Sequence, residues 1–555
     1  MLRVLARASA TLAPCGLSLA HYASEPPQPT AARLPGAGAA AAPLRQCIGG
    51  SLVPSTSART VAVEDPSTGA VIGSIPEGTA EDAHAALVAA RAAQPAWAAR
   101  SAAARGKALR AMARVVREHR VELAELLASE QNKTLGLAQV EIDFTAEYFD
   151  YYAGPERRRA TGAYFRANLT GKTRRTLTPS PLVGLARAYE GELVNSDDAN
   201  EHISVHRLPL GVSVGICPWN FPVFVMARKL APALLAGCAV VVKSSEVTPL
   251  ACGRLAELWL ASPDADLPPR GAWALVNGLG ATVGAALTAS PLADIVSMTG
   301  SVPTGKAIMR AAAEHMTKVS LELGGKAPAI VAADADLDLA VAAVVASRIC
   351  FSGQVCNCCE RVYVHASVYE PFVAKLVAAM EAVNVGAPRD AAADCCGLVN
   401  AAQRDKVDGM VRRAVAAGAT ARCGGRPLPG PGYKYAPTVL TGCAQGSEIV
   451  QEEVFGPVLP VLAFGSLTEA FALANDSKFG LTSSIYSSSV DVVERARAEL
   501  RFGETYVNRE NFEAIQGFHA GMRQSGVGGA DGKRGLDEYL ATHVVYVRRN
   551  PKAGD

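Results

Sequence analysis

The sequence predicts an α/β protein with two sheet-bearing units, and three observations carry that prediction. Between residues 211 and 298 short apolar strands alternate with helices, and a second region of the same kind runs from 329 to about 506. Alternation of this kind implies parallel strands covered by helices on both faces. The third observation is length: 555 residues, 49% hydrophobic and 19% charged, suffice to bury two or three ordinary cores.

Composition also excludes. Lysine and arginine total 54 against 52 acids, a formal charge of +2, so no global field favours nucleic acid. The apolar stretch 337–351 is interrupted by Asp338, Ser347 and Arg348, and no run approaches the roughly 18 to 20 apolar residues a bilayer crossing needs. Neither nucleic acid nor membrane is expected as a partner. Thirteen cysteines, an odd number scattered over a long chain, suit a reducing compartment. The close group Cys356, Cys358 and Cys359 lacks the second ligand pair of a zinc site, so no metal is expected.

Taken in order, residues 1–45 are Ala-rich and carry Arg3, Arg7 and Arg33 against one acid, Glu25. That is the composition of an organellar transit peptide, mitochondrial or alternatively plastid, without the unbroken apolar core of a secretory signal. Residues 80–127 read as two amphipathic helices, with Ala83, Ala86, Leu87 and Ala90 spaced for one buried stripe. A further helix is expected over 140–152, stopped by Gly154 and Pro155. Residues 155–184 then hold Arg157, Arg158, Arg159, Arg166, Lys172, Arg174 and Arg175 with the single acid Glu156, the composition of a solvated loop.

Strands follow at 211–217, 239–243, 274–277 and 295–298, with helices near 224–236 and 249–260 between them. In the second region strands are expected at 328–331, 361–364 and 483–486, and the tail 541–547 alternates as a strand beyond both units.

Open α/β sheets bind ligands at the carboxyl ends of their strands, and the segments there are distinctive. Pro218-Trp219-Asn220 is a proline-fixed turn; Lys243 and Glu246 set a cation and an anion three apart; Gly300 and Ser301 open a helix whose free amides favour phosphate. Gly278-x-Gly280 lacks the third glycine of a dinucleotide fingerprint. Leu321-Glu322-Leu323-Gly324-Gly325-Lys326 ends a strand with an acid, and Gly353-Gln354-Val355-Cys356 places a cysteine in a small-residue turn 34 positions after Glu322. A carboxylate and a thiol so placed can serve as base and nucleophile.

Together with Glu452-Glu453-Val454-Phe455-Gly456-Pro457, these ordered motifs resemble the aldehyde dehydrogenase superfamily over about 46–547. Cys356-Asn357-Cys358 before Glu360-Arg361-Val362-Tyr363-Val364, and Asn508-Arg509-Glu510-Asn511-Phe512-Glu513, most resemble its lactaldehyde and glycolaldehyde dehydrogenase branch. The resemblance implies an NAD-binding domain of Rossmann type (46–190 and 210–323, with 155–184 inserted), a catalytic α/β domain (324–530) and oligomerisation strands (191–209 and 537–550) of a homodimer or homotetramer.

The resemblance also implies roles. Cys356 is expected as nucleophile, with the Asn220 amide and the Cys356 backbone N–H stabilising the oxyanion and Glu322 activating water against the thioester. Lys243 and Glu246 are expected to hold the adenosine ribose of NAD, Gly300 and Ser301 a phosphate, Glu453 the nicotinamide ribose, and Phe455 to pack near its ring. Arg228, Asn357 and His519 are candidate binders of a substrate hydroxyl at a polar mouth. Ser244, where the family often has proline, is expected to loosen the Lys243 turn. Two alternatives are a coenzyme A-acylating semialdehyde dehydrogenase, against which Glu322 argues, and a catalytically silent scaffold, against which Cys356, Asn220 and Glu322 together argue.

Overall fold

The computed structural model describes residues 43–154, 185–187 and 191–549. Nearly all of the expected leader, 1–45, and the whole of 155–184 lie outside the described residues.

The first sheet has eight strands, and its parallel centre runs Lys318–Glu322, Ile295–Thr299, Val212–Ile216, Ala239–Lys243, Trp273–Val276 in space. The chain enters at Val212–Ile216, winds outward to Trp273–Val276, then crosses back to lay Ile295–Thr299 on the opposite side. The winding therefore reverses between Val212–Ile216 and Ile295–Thr299, and the carboxyl ends of these two strands border the crevice where such sheets bind ligands. Antiparallel strands complete both edges: Gln46–Ile48 and Ser51–Val53 on one, Gly526–Val527 beside Lys318–Glu322 on the other. Gly526–Val527 falls within the 324–530 stretch expected for the second unit, so that stretch also completes the first sheet.

Helices cover both faces. Pro222–Ala236 is buried along its whole length, with Pro222 at its first turn where the missing N–H costs nothing. It packs with Ala102–Glu118 and Leu135–Ala153 on one face, while Ala80–Ala98 covers the other. Residues 80–127 form parts of three helices rather than two: Ala80–Ala98, Ala102–Glu118 and Arg120–Gln131. The second break is at His119, which ends one helix and starts the next at φ −108°, ψ 21°, with no glycine or proline to mark it in the sequence.

The second sheet runs Glu504–Val507, Thr482–Tyr486, Ala327–Val331, Cys359–His365, Val458–Phe464, Thr438–Thr441, all parallel, with Thr420–Cys423 antiparallel at the far edge. Alternation sends Val362 and Val364 into the core on one face and Tyr363 into the core on the other. A three-stranded ribbon stands apart, with Glu201–Pro209 between Glu192–Asn195 and Leu540–Arg548. It exposes Leu193 (89%), Tyr546 (65%) and Val547 (52%). No described helix is long and apolar enough to cross a membrane, and no cluster of three potential metal ligands occurs among the described residues.

Candidate active site

The thiol loop starts where the Leu337–Ile349 helix stops. Phe351 (φ 44°), Ser352 (φ 54°) and Gly353 (φ 77°) are all left-handed, a costly run for two residues with side chains. Surrounding bonds hold it: the Ser352 hydroxyl donates to the Cys396 carbonyl at 2.6 Å, the Arg348 guanidinium to the carbonyls of Gly353 and Cys359, and the Val399 N–H to Gln354 Oε1 at 3.0 Å. Cys356 emerges partly exposed, whereas Cys358 and Cys359 are buried. Burial pushes the Cys359 thiol up to about 12 and the Cys358 thiol higher still, so neither supplies thiolate near neutral pH.

Asn220 reaches this loop from the first sheet. Its Nδ2 donates to the Gln354 carbonyl at 3.0 Å, two residues before Cys356, while its Oδ1 accepts from the Phe221 N–H. Its own carbonyl accepts from Gln131 Nε2 (3.0 Å) and Lys133 Nζ (2.8 Å). Lys133 is fully buried, paired with Glu141 at 2.6 Å, and lies over the Phe221 ring. The sequence reading missed this pair, since a lysine and a glutamate eight apart near helix ends look like ordinary surface charges.

Glu322 ends the Lys318–Glu322 strand and is 3% exposed. Its Oε2 accepts from Thr299 Oγ1 at 3.0 Å, whereas its Oε1 has no hydrogen-bond partner and lies 3.9 Å from Lys229 Nζ. Burial alone would raise this carboxyl, but Lys229, Arg228 and His519 outweigh burial and hold it below its ordinary value. Glu322 is thus ionised at neutral pH and keeps a free acceptor. The two glycines after it are required by close approach: a Cβ on Gly324 would fall 2.6 Å from Glu453 Oε2, and one on Gly325 2.5 Å from the Cys356 carbonyl.

Arg228, Asn357 and His519 do not line an open mouth as expected; they are 4%, 2% and 1% exposed. Acids far away in sequence collect them. Arg228 Nε donates to Asp531 Oδ1 at 2.9 Å and its Nη2 to Glu513 Oε1 at 2.9 Å, while Asn357 Nδ2 donates to the other Glu513 oxygen. His519 Nδ1 lies 2.9 Å from Glu504 Oε1. Burial opposes its protonation, but Glu504 and a hydrogen bond with the Cys356 side chain raise it well above the ordinary histidine range. Asn357 Oδ1 is left buried without a partner. Of the acids, only Glu513 lay in a motif read from the sequence; Asp531 and Glu504 carried no signal.

The cofactor candidates stand across the crevice. Lys243 Nζ donates to Glu246 Oε2 at 3.0 Å, and the Gly280 N–H to Glu246 Oε1 at 3.3 Å. Burial raises the Glu246 carboxyl, but Lys243 and backbone N–H groups outweigh it, and the net is downward, leaving a part-exposed carboxylate. Ser244 does not loosen this turn: its hydroxyl donates to Asn277 Oδ1 at 2.7 Å and takes over the anchoring expected of proline. The Gly300 N–H donates to the Glu322 carbonyl, and exposed Ser301 caps the Val302–Ala313 helix by accepting from the Thr304 N–H. Glu453 Oε1 accepts from the Gly325 N–H at 2.8 Å, and Phe455 stands edge-on to Trp219 with centroids 5.3 Å apart. A cavity of about 800 Å³ opens between Ser301, Lys306, Lys406, Glu453 and Lys478. The Glu246 carboxylate, the exposed Ser301 at a helix start and the Glu453 carboxylate form a donor set that fits a nicotinamide dinucleotide.

This fold and this thiol–amide–carboxylate site have counterparts. Residues 52–545 match the aldehyde dehydrogenase family, and the chain belongs to that family and is an oxidoreductase. Among its relatives, lactaldehyde dehydrogenase of Escherichia coli (strain K12) is 49% identical over 487 residues, 88% of this chain and 95% of that protein. The crystal structure of lactaldehyde dehydrogenase from Escherichia coli superposes with a TM-score of 0.84 at 47% identity, covering 92% of this chain and 100% of that one. Betaine aldehyde dehydrogenase from Staphylococcus aureus in complex with NAD+ superposes with a TM-score of 0.82 at 34% identity, covering 92% and 96%. Members of the family use NAD or NADP.

Proposed function

We propose that this protein oxidises a small 2-hydroxy aldehyde, of the size of lactaldehyde or glycolaldehyde, to the carboxylate with NAD. The observation that carries this reading is the buried network in which Glu513 joins Arg228 to Asn357, the residue that follows Cys356. Within it Asn357 Oδ1 is buried without a partner, an acceptor that a hydroxyl next to the aldehyde would satisfy and an alkyl chain would leave unpaired.

The Cys356 thiolate adds to the aldehyde carbon. The oxyanion that forms is stabilised by the Asn220 amide and the Cys356 N–H, donors fixed in advance by the bonds around Gln354. NAD, when bound, supplies the hydride acceptor that takes the carbon to the acid oxidation level, leaving a thioester on Cys356. Lys243 and Glu246 would hold its adenosine ribose, Gly300 and Ser301 a phosphate, and Glu453 its second ribose, with Phe455 near the ring. Glu322, ionised and with Oε1 free, takes a proton from the water that hydrolyses the thioester.

The apolar outer face of the ribbon supports assembly of copies, as a dimer or tetramer, and the Ala-rich leader, with its arginines against one acid, supports mitochondrial import. The test is an initial-rate panel of glycolaldehyde, lactaldehyde, an unsubstituted short aldehyde and hexanal with NAD. The hydroxyaldehydes are expected to lead in kcat/KM, and a ranking led by hexanal would overturn the substrate reading.

A further inference from the structure

Glu360 is 1% exposed and lies four residues past Cys356, at the start of the Cys359–His365 strand. It makes four charge-assisted contacts. Its Oε2 accepts from Lys326 Nζ at 2.8 Å and from the Val454 N–H at 3.1 Å; its Oε1 lies 2.8 Å from Arg348 Nη1 and accepts from the Phe455 N–H at 3.1 Å. Each partner belongs to a different part of the site. Arg348 holds the Gly353 and Cys359 carbonyls that bracket the thiol. Lys326 follows the glycine pair wedged between Glu453 and the Cys356 carbonyl. Val454 and Phe455 follow Glu453, and Phe455 is held at the left-handed φ of 57°. The two loops also touch directly, since a Cβ on Gly353 would collide with the Gly456 carbonyl.

We infer that Glu360 is a positioning residue that couples the turn carrying Cys356 to the Glu453–Phe455 segment, so that thiol and cofactor ribose are held by one buried carboxylate. The inference rests on the reading of Glu453 and Phe455 as cofactor contacts. Two chain segments about 100 residues apart in sequence, each bent into left-handed conformations, share this single anchor. Loosening either side displaces the other, and displacements of about 1 Å already cost about 100-fold in rate.

The charge balance around Glu453 gives the hub a signature. Burial and then the Glu360 charge raise the Glu453 carboxyl to about 7, against the Gly325 N–H, Lys406 and Lys326, which lower it. Its carboxylate, the form that accepts from ribose hydroxyls, therefore gains on the acid as pH rises through about 7. Removing the Glu360 charge moves that midpoint down.

The experiment uses the full chain and two readouts: NAD affinity by fluorescence titration across pH, and the rate of Cys356 alkylation by iodoacetamide without cofactor. Glu360→Gln is expected to weaken NAD at least about tenfold, to change the alkylation rate by a similar factor, and to shift the pH midpoint of NAD binding downward. Arg348→Lys keeps the charge of a side chain that itself bonds Glu360 and the thiol-loop carbonyls rather than the 453–456 segment, and is expected to lower both NAD affinity and thiol reactivity several-fold. If Arg348→Lys alters alkylation but leaves NAD affinity at the native value, the coupling is absent and the inference is overturned, even where Glu360→Gln does not fold. Glu453→Gln separates the two layers: an unchanged NAD affinity in that variant removes the underlying cofactor reading, whereas a weakened one with an uncoupled Arg348→Lys removes only the role of Glu360.

Discussion

Arg228 and Asn357 share one carboxylate: Glu513 accepts from the guanidinium through Oε1 and from the amide through Oε2. The arginine comes from the Pro222–Ala236 helix and the asparagine from the residue after Cys356, so this bridge ties the helical layer of the first sheet to the thiol loop. Asp531 accepts from Nε of the same guanidinium and shares its Nη2 with Glu513.

Breaking that bridge should change selectivity more than stability. Glu513→Gln keeps size and one acceptor, but leaves Arg228 with less compensation and reorients Asn357. Hydrogen-bonding sites discriminate strongly for their hydroxyl, while an alkyl substrate gains little from them. The kcat/KM for glycolaldehyde and lactaldehyde should fall at least about tenfold, and that for an unsubstituted short aldehyde by less. An equal fall for all aldehydes in steady-state kinetics would show that Glu513 serves the chemistry common to them rather than recognition.

Cys356 should be the one cysteine that turnover requires. Cys358 Sγ donates to the Val355 carbonyl at 2.9 Å, and burial holds both neighbouring thiols in the protonated form. Cys356→Ala should abolish NADH formation, and Cys358→Ala should retain most of it; the reverse pattern would place the nucleophile two residues downstream.

The parts legible in the sequence were those in which chemistry and periodicity coincide. Val212–Ile216, Ala239–Lys243 and Ile295–Thr299 are mostly apolar runs that lead into polar motifs, so strand, crevice and motif announce one another. Val458–Phe464 escapes such a reading because Pro460 argues against an inner strand, yet it pairs in parallel with Leu440 across the ladder. The burial and partners of Glu141, Glu360 and Asp531 were illegible for another reason. A charged residue does not reveal its burial, and its partner can be remote: Arg228 and Asp531 are 303 positions apart.

NAD should be preferred to NADP. On the proposed reading, ribose hydroxyls bond the Glu246 carboxylate, which Lys243 and the Gly280 N–H fix, and a phosphate there would meet a like charge within a few ångströms. We expect kcat/KM with NAD to exceed that with NADP at least about tenfold, and Glu246→Gln to narrow the ratio several-fold. An unchanged ratio in the variant would mean that another group sets cofactor choice.

Lys133→Met should be costly. It leaves Glu141 unpaired in a fully buried position and removes a donor from the Asn220 carbonyl. Losing one partner of a buried pair typically destabilises by about 3–5 kcal/mol. Urea unfolding should show a loss of that order, accompanied by lower kcat because the Asn220 turn shifts; a loss below about 1 kcal/mol would mean that Glu141 is satisfied by the Val223 and Phe224 N–H groups alone.

Deleting 155–184 should leave fold and activity in place. The residues on either side of the segment converge on one glycine: a Cβ on Gly106 would lie 2.7 Å from the Ala153 carbonyl oxygen and 2.9 Å from the Ala186 side chain. Arg110 Nη1 donates to the carbonyls of both Ala153 (3.0 Å) and Gly154 (2.9 Å), so the body of the protein itself pins the end of the Leu135–Ala153 helix. Replacing the segment with about five Gly/Ser residues shortens the connection roughly sixfold, which lowers the closure cost by about 1.5 kcal/mol at 0.6 kcal/mol per halving. The variant is expected to melt at or above the native temperature and to retain kcat/KM within about twofold. A variant that folds and binds NAD but no longer oxidises aldehydes would show that 155–184 contributes to the site, and one that fails to fold would show that the Gly106 junction depends on it.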